Sequence, residues 1–295
     1  TVAIHSDSLS QRLQQEALQA RHAILLTGAT GFLGGHYLLH RIAGPGMVHA
    51  LVRGQTLEQA RARLYEHLAQ CAAAYGRPLP KADLDARLVV HLGDITAPLC
   101  GLGEEDLAQM QRSGVSQFWH CAASLKFEDR HRSEILSHNI DGTGNMLALF
   151  ARAVSSAGLA PEEAEFVHIS TAYSAGKVQG DIAEQRHHPD REFNNVYEES
   201  KNLAENQVVD YCSQHGLSYR ILRPTIVMGP LISHHSGTTR FGVYGFTREV
   251  YRLRETLAKL KHPLQLLGHS RATANLTPVD ACVLDMLQLA RNGFG

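Results

Sequence analysis

A tyrosine and a lysine four residues apart, Tyr197 and Lys201, are the side chains of this chain best suited to proton chemistry. Positions i and i+4 share one face of a helix, so the phenol and the ammonium would point into the same space. A free phenol titrates near pH ~10, and a nearby ammonium stabilises the phenolate and lowers its pKa. Such a phenol could donate a proton to a carbonyl oxygen, while Lys201 binds a nicotinamide ribose and the Thr171 hydroxyl holds the same oxygen. Because such pairs are common by chance, this pair indicates a catalytic site only if other motifs in the chain support it.

A glycine-rich turn near the N-terminus is the second feature that could serve chemistry. The apolar run 24–26 leads into Gly28, Gly31 and Gly34 and then into a helical pattern. Gly28 would permit a sharp turn, Gly31 would let the backbone approach a pyrophosphate, and Gly34 would let the helix pack closely on the strand. A turn without a ligand is the alternative, but the strand-to-helix context favours a dinucleotide site. Further candidates for cofactor contact in this turn are Thr30, Phe32 and Leu33.

The end of the second predicted strand suggests which cofactor binds. Enzymes that use NAD usually carry an acidic residue about 20 residues beyond the glycine turn, where it binds the ribose 2′-hydroxyl. Arg53 stands there instead, and because a cation suits a 2′-phosphate we predict NADPH. Arg63, on the next helix, could reach the same phosphate. Ordinary solvent exposure is the alternative for both arginines, and packing is a further alternative for Arg63.

Several other positions complete the predicted crevice. Asp94, followed by Ile95, could accept a hydrogen bond from an adenine amino group or could cap a turn. Ala122 and Ala123 are small enough to let a dinucleotide lie against the backbone. Asn139 could hold the catalytic lysine through a water molecule or could bind nearby backbone.

Strand and helix patterns alternate through residue 224, which predicts an α/β fold with a doubly wound parallel sheet. The predicted strands are 24–26, 47–52, 88–91, 116–121, 165–169 and 219–222, and the predicted helices are 1–20, 56–75, 104–112, 133–157, 197–216, 247–260 and 279–291. We expect an N-terminal helix and linker at 1–20, a Rossmann domain with the catalytic residues at 21–224, and a small C-terminal substrate lobe at 225–295.

Composition narrows the function classes. The 28 basic and 29 acidic residues give a formal charge of −1, which gives no sign of nucleic-acid binding. The sequence holds neither a membrane span nor a signal pattern, so we expect a cytoplasmic protein. Five scattered cysteines indicate reduced thiols, and the 18 dispersed histidines do not predict a metal site. Since the chain begins at Thr1 and stops at Gly295, we expect a domain excised from a larger enzyme.

These motifs resemble those of the extended short-chain dehydrogenase/reductases. The resemblance rests on the segments Thr27–Gly34, Gly93-Asp94-Ile95, His120-Cys121-Ala122-Ala123, Asn139–Thr143, Tyr197 with Lys201, and Arg223–Val227. It implies a Rossmann fold that binds NADP, with Thr171, Tyr197 and Lys201 as catalytic residues. It also implies that Pro224, Tyr197 and Lys201 belong to the cofactor site.

Within that superfamily the chain is most similar to the thioester reductases. These are the fatty acyl-CoA reductases and the terminal reductase domains of nonribosomal peptide synthetases, polyketide synthases and carboxylic acid reductases. The segments that carry this similarity are 51–54, 93–95 with 102–103, and 169–173. The resemblance implies that NADPH reduces an acyl or peptidyl thioester to an aldehyde, and in a second reduction to an alcohol. The thioester would be carried by coenzyme A or by the phosphopantetheine of an acyl- or peptidyl-carrier protein, and residues 225–295 would supply part of the lobe that binds it.

Two other classes of protein could share the motifs. One is an extended reductase or epimerase that acts on a sugar nucleotide or a hydroxysteroid-like alcohol. The other is a regulatory protein that senses NADPH without chemistry, but such proteins typically lack the tyrosine and lysine pair. A purely structural domain would not explain why the glycine turn and the catalytic residues occur together.

Overall fold

The core of the protein is a parallel sheet of six strands, seen in a computed structural model that describes residues 6–235, 243–259 and 274–291. The strands are β1 (Ala23–Thr27), β2 (Val48–Val52), β3 (Leu88–Leu92), β4 (Val115–His120), β5 (Glu165–Ile169) and β6 (Ser218–Leu222). Their order is β3-β2-β1-β4-β5-β6, and all neighbours are parallel. The predicted doubly wound sheet is confirmed. The order reverses between β1 and β4, where such sheets open a ligand crevice at the carboxyl ends of the strands.

Helices cover both faces of this sheet. In chain order they are α1 (Ser6–Gln19), α2 (Phe32–Arg41), α3 (Leu57–Ala73), α4 (Lys81–Arg87), α5 (Glu104–Arg112), α6 (Arg132–Leu136), α7 (Gly142–Ala157), α8 (Val196–His215), α9 (Val243–Leu257) and α10 (Val279–Arg291). One apolar layer lies between the sheet and α1, α2, α3 and α10, and a second lies between the sheet and α5, α7 and α8. Successive side chains of β1 point to opposite faces of the sheet, so this strand contributes to both layers. Ile24 and Leu26 lie in the first layer, and Ala23 and Leu25 lie in the second.

The first and last helices belong to the core. Leu9 and Leu13 of α1 are buried in the same cluster as Val283 and Leu287 of α10. The α10 helix also packs against α2. The compact α/β unit therefore extends beyond the 21–224 range that the sequence suggested, at both ends.

Three elements differ from the predictions. The short helix α4 forms between the helix predicted at 56–75 and the strand predicted at 88–91, where no helix was predicted. The helix predicted at 133–157 is interrupted by a π-helical turn at Ser137–Asp141, which separates α6 from α7. The α9 helix begins at Val243, four residues before its predicted start. Residues 1–5 of the first predicted helix and the predicted helix end at Leu260 lie outside the described residues.

The C-terminal segment adds a small second sheet. Strands β7 (Ile226–Met228) and β8 (Leu276–Pro278) pair in parallel. The buried Asp280 carboxylate, at the start of α10, accepts hydrogen bonds from the Leu231 and Ile232 amides at 3.0 and 2.9 Å. This contact fixes the loop after β7 to the core. Within the described ranges, no helix has the length and apolar character needed to cross a bilayer.

Candidate active site

The glycine turn closes the gap between the two central strands. Gly28 has φ +75°, and a Cβ there would lie 2.7 Å from the Ala122 amide nitrogen that follows β4. A Cβ on Gly34 would lie 2.3 Å from the Gly28 carbonyl oxygen. Both contacts are closer than real Cβ atoms allow, so these positions require glycine. The exits of β1 and β4 are thereby brought into contact at the point where the strand order reverses.

The start of α2 leaves backbone donors at the mouth of the crevice. Gly31 is exposed and forms the N-cap of α2, and no side chain among the described residues caps this end. Uncapped amides at a helix N-terminus, with the helix dipole behind them, suit a pyrophosphate. The predicted residues Thr30, Phe32 and Leu33 lie half-buried around this point. The loop therefore fits the diphosphate of a dinucleotide.

A histidine on α3 supports the same loop from behind. The His67 ring nitrogen Nε2 lies 3.0 Å from the Gly31 carbonyl oxygen. The ring can come this close because Gly35 has no side chain, since a Cβ on Gly35 would lie 2.4 Å from His67 Nε2. His67 thus holds the loop in place, and Gly35 makes room for it.

The two arginines predicted to bind the 2′-phosphate are exposed on one edge of the crevice. The Arg53 Nη1 atom lies 3.5 Å from His138 Nε2. Burial and the nearby charge of Arg53 both lower the pKa of Arg63. The two positive charges therefore repel each other, and an anion bound near both would relieve that repulsion.

Asp94 and Ile95 take part in the local structure after β3. The Asp94 carboxylate accepts hydrogen bonds from the Thr96 amide and hydroxyl, both at 2.9 Å. Burial raises the Asp94 pKa, but these bonds and the charges of Arg53 and His138 outweigh it, so the pKa is lowered. Asp94 therefore fills the turn-capping role that we gave as the alternative. Ile95 is buried, and its carbonyl accepts from Asn145 Nδ2 at 2.8 Å.

The α8 helix, which carries Tyr197 and Lys201, packs on the end of β5 and on the segment that holds Thr171. Lys201 Nζ donates to the Ile169 carbonyl at 2.7 Å, and Asn202 Nδ2 donates to the Ser174 carbonyl at 2.9 Å. The residues on either side of Thr171 are therefore both bound to α8. The Thr171 Oγ1 atom accepts from the Tyr173 amide at 3.3 Å. Pro224, just after β6, contacts the same segment, because its carbonyl accepts from the Ala172 amide at 3.0 Å.

Tyr197 lies at the start of α8 beneath an aromatic ring. The Phe127 ring meets it edge to face, with the centroids 5.4 Å apart. Burial, and secondarily the Glu198 charge, raise the Tyr197 pKa to about 12. The Lys201 ammonium, which we expected to lower this pKa, is bound to the Ile169 carbonyl and lies 3.2 Å from His168 Nε2.

Lys201 ends in a buried polar cluster. Its Nζ lies 3.2 Å from His168 Nε2, and the His168 ring lies 5.5 Å from that of His120 on β4. Burial lowers the Lys201 pKa to about 8, although the Glu205 charge opposes this effect. Burial and Lys201 together lower the His120 pKa to about 3 and hold the His168 pKa well below its usual value.

Asn139 is buried in the π-helical turn and does not contact Lys201 directly. Its Oδ1 accepts from the Ser124 amide at 2.7 Å, and its Nδ2 donates to Ser200 Oγ at 2.8 Å. Ser200 Oγ in turn donates to the Tyr197 carbonyl at 2.8 Å. The Ser124 contact matches the backbone-binding alternative, and a hold on Lys201 through water stays a prediction. Asn139 thereby ties the loop after β4 to the catalytic helix.

Sequence reasoning overlooked the polar side chains behind the crevice. His120 contacts Thr27 Oγ1 at 2.9 Å through Nδ1 and Thr143 Oγ1 at 3.2 Å through Nε2. Thr27 Oγ1 accepts from the Ala122 amide at 3.2 Å, and the half-buried Ala123 comes next. Strand alternation could have found His120 and His168, because each follows a phenylalanine of the second apolar layer by two positions.

Comparison with known proteins identifies relatives of the chain. The family model described as "Male sterility protein", an NAD-binding family, matches residues 26–286. Fatty acyl-CoA reductase 2 of Mus musculus is 30% identical over 172 residues, which is 54% of this chain and 29% of that protein. An NRPS-like oxidoreductase of Fusarium equiseti is 27% identical over 211 residues, 70% of this chain and 18% of that protein. The chain thus spans less than a third of the length of these curated relatives.

A solved structure shares the fold. The terminal R domain from the myxalamid PKS-NRPS biosynthetic pathway superposes with a TM-score of 0.71. The match covers 96% of this chain and 69% of that domain, at 23% identity.

Proposed function

Since the chain belongs to the male sterility protein family of NAD-binding proteins, in the thioester reductase branch of the extended short-chain dehydrogenase/reductases, we propose that it reduces a thioester with a nicotinamide cofactor. The observation that carries this proposal is the packing of α8 on the end of β5. Lys201 binds the Ile169 carbonyl at 2.7 Å, and Asn202 binds the Ser174 carbonyl at 2.9 Å. These two contacts fasten the helix that carries Tyr197 and Lys201 to the strand end that precedes Thr171.

The roles follow from the chemistry of each group. Tyr197 donates a proton to the thioester oxygen, and the Thr171 hydroxyl holds that oxygen. Lys201 holds the cofactor ribose, which Gly28, Gly31, Gly34 and the start of α2 support through the diphosphate. The cofactor, when bound, supplies hydride to the carbonyl carbon. The resulting hemithioacetal loses its thiol and leaves an aldehyde, which a second reduction would convert to an alcohol.

We propose NADPH as the cofactor. The support is the pair of exposed guanidinium groups, Arg53 and Arg63, which affect each other electrostatically at the edge of the crevice. An arginine pair offers several donors in a planar arrangement that suits a phosphate group. Neither of these side chains would gain as much from the 2′-hydroxyl of NADH.

Apolar side chains beside the phenol favour an acyl substrate. Phe127 is 46% exposed and covers one side of the Tyr197 ring, and Leu125 on the same loop is 39% exposed. Tyr173, two residues after Thr171, is 38% exposed. Such a surface suits a hydrocarbon chain better than a sugar, which would need several hydrogen-bond partners. The proposed donors are acyl-CoA or an acyl- or peptidyl-carrier protein, and a sugar nucleotide or hydroxysteroid-like alcohol is the competing substrate class.

The decisive experiment measures NADPH oxidation with acyl-CoAs and acyl-pantetheines, and the aldehyde is trapped as a hydrazone. The Tyr197→Phe variant removes only the phenol oxygen, and Tyr211→Phe, on the same helix, is its matched control. We expect thioester-dependent oxidation that falls by about 10²–10⁴-fold in Tyr197→Phe and is unchanged in Tyr211→Phe. Turnover on a sugar nucleotide or an alcohol, with none on any thioester, would refute the proposal.

A further inference from the structure

The ammonium of Lys201 is held by a histidine that the catalytic roles above leave unused. Lys201 is 2% exposed and His168 is fully buried. The lysine donates to the Ile169 carbonyl at 2.7 Å, and its Nζ lies 3.2 Å from His168 Nε2. An ammonium has three N–H donors. These two contacts account for two of them, so one donor remains for a further partner.

Burial fixes the direction of the hydrogen bond between these two side chains. Desolvation and the neighbouring lysine hold the His168 pKa well below its usual value, so the ring is neutral. Because the ammonium can only donate, His168 Nε2 accepts and the ring proton lies on Nδ1. Nδ1 has no hydrogen-bond partner in the described part of the chain. A proton on Nδ1 therefore has no hydrogen-bonded route out, and His168 is a fixed acceptor rather than a relay.

Other ionisable groups near Lys201 do not replace His168. His120 faces it from β4, but both His120 ring nitrogens contact threonine hydroxyls. Cys121, which follows β4, is kept as a thiol because burial raises its pKa to about 12. Glu205, one turn along α8, acts on Lys201 through its charge and is bound to Arg223 at 2.7 Å.

We propose that His168 is a positioning residue for Lys201: its Nε2 keeps the buried lysine charged and aims the remaining N–H at the cofactor. This inference rests on the proposed function, because it assumes that Lys201 binds the cofactor. His168 itself touches neither substrate nor cofactor in this scheme. Its effect should appear in how activity and cofactor binding depend on pH.

Three substitutions separate this role from simple packing. His168→Gln places an amide oxygen near the position of Nε2 and can still accept from Lys201. His168→Asn is also polar, but its amide lies near the position of Nδ1 and is too short to reach. His168→Leu fills the space without an acceptor. A purely structural role would group the two polar variants together, whereas the proposed role separates Gln from the other two.

The sign of the expected change follows from the chemistry of a buried ammonium. Loss of an acceptor from a charged donor disfavours the charged form, so Lys201 would lose its proton at a lower pH. A hydrogen bond to a charged group corresponds to about one to two pH units. In His168→Leu and His168→Asn we therefore expect the alkaline limb of kcat/KM to move toward acid by about that amount. In His168→Gln it should stay within about half a pH unit of wild type.

NADPH affinity measured by fluorescence against pH gives a second test that needs no substrate. The pH at which NADPH binding weakens should move toward acid in the same variants, His168→Leu and His168→Asn. Melting temperatures of all variants check that they are folded. If His168→Leu does not fold, the Gln and Asn variants still provide the contrast. An unmoved limb in His168→Asn, or an equal shift in His168→Gln, would overturn the role of His168. If wild type binds NADPH but reduces no thioester, the proposed function fails while the binding series still tests His168.

Discussion

Two pairs of buried histidines lie on the same face of the sheet and end in opposite charges. On the neighbouring strands β4 and β5, His120 and His168 are paired in register. His168 contacts the Lys201 ammonium at 3.2 Å. On β2 and β3, His49 Nδ1 lies 2.8 Å from His91 Nε2, and His91 Nδ1 donates to the Asp106 carboxylate at 2.7 Å. The two pairs have the same residue type and similar burial, but one contacts a lysine ammonium and the other an aspartate carboxylate.

The partner decides what each pair can do. Asp106 also accepts from the Gly103 amide at 3.0 Å and so caps α5, and both of its contacts, to α5 and to His91 of β3, are structural. In the function proposed above, Lys201 keeps one donor for the cofactor. If so, buried histidines of equal depth stabilise the fold at one end of the sheet and support chemistry at the other. Substitutions should consequently separate activity from stability.

Lys201→Met should give the largest effect on the catalytic side. Without the ammonium the cofactor ribose loses a donor, and we expect turnover to fall by about 10²–10³-fold. Methionine removes the desolvation cost of the buried charge but leaves the Ile169 carbonyl and His168 Nε2 without a donor, and because the two effects oppose each other the melting temperature should change little. Turnover assays and thermal melts check both expectations. A large drop in melting temperature would mean that this pair is structural too, and the contrast would fail.

Asp106→Ala should give the opposite result. It removes the α5 cap and leaves the buried His91 Nδ1–H without its acceptor, which should cost about 2–4 kcal/mol of the free energy of unfolding. Activity per folded molecule should stay at the wild-type level. Urea unfolding monitored by circular dichroism measures the loss, with Glu105→Ala as the exposed neighbour expected to change stability by less than about 0.5 kcal/mol. Equal losses in both variants would argue against the buried histidine pair as the cause.

Arg53→Ala and Arg63→Ala should have the smallest effect and should change only cofactor choice. Each removes one guanidinium from the proposed 2′-phosphate site, so NADPH affinity should fall by about tenfold while NADH affinity stays constant. Arg61→Ala, on the same helix but paired with Asp85 at 3.5 Å, is the matched control. Titration of both cofactors into each variant tests this. A parallel loss of NADH affinity would assign the arginines to general binding rather than to the 2′-phosphate.

Much of the fold could be predicted from sequence because its signals are local. The strand and helix patterns, the Thr56 cap of α3 and the Gly216 end of α8 all depend on neighbouring residues, and the structure has them close to the predicted positions. The short helix α4 was missed because prolines 78 and 80 mark a break and seven residues carry little periodicity.

The details of the site were less accessible because they depend on distant contacts. The Asn139 side chain is directed by a π-helical turn that no helical periodicity reveals. Lys201 and His168 are 33 positions apart. Their contact requires one particular position of α8 along the direction of β5. Residue types predicted which groups could react, but packing determined what each one touches.

The α3 helix has a consequence for engineering. Arg63 and His67 are four positions apart and so share one face of α3. Arg63 lies at the proposed 2′-phosphate site, and His67 braces the Gly31 carbonyl at 3.0 Å through the space left by Gly35. A graft of α3 from a homologue would carry both the charge that selects the cofactor and the brace for its diphosphate loop. The helix can therefore be exchanged as one module only when the recipient keeps glycine at position 35.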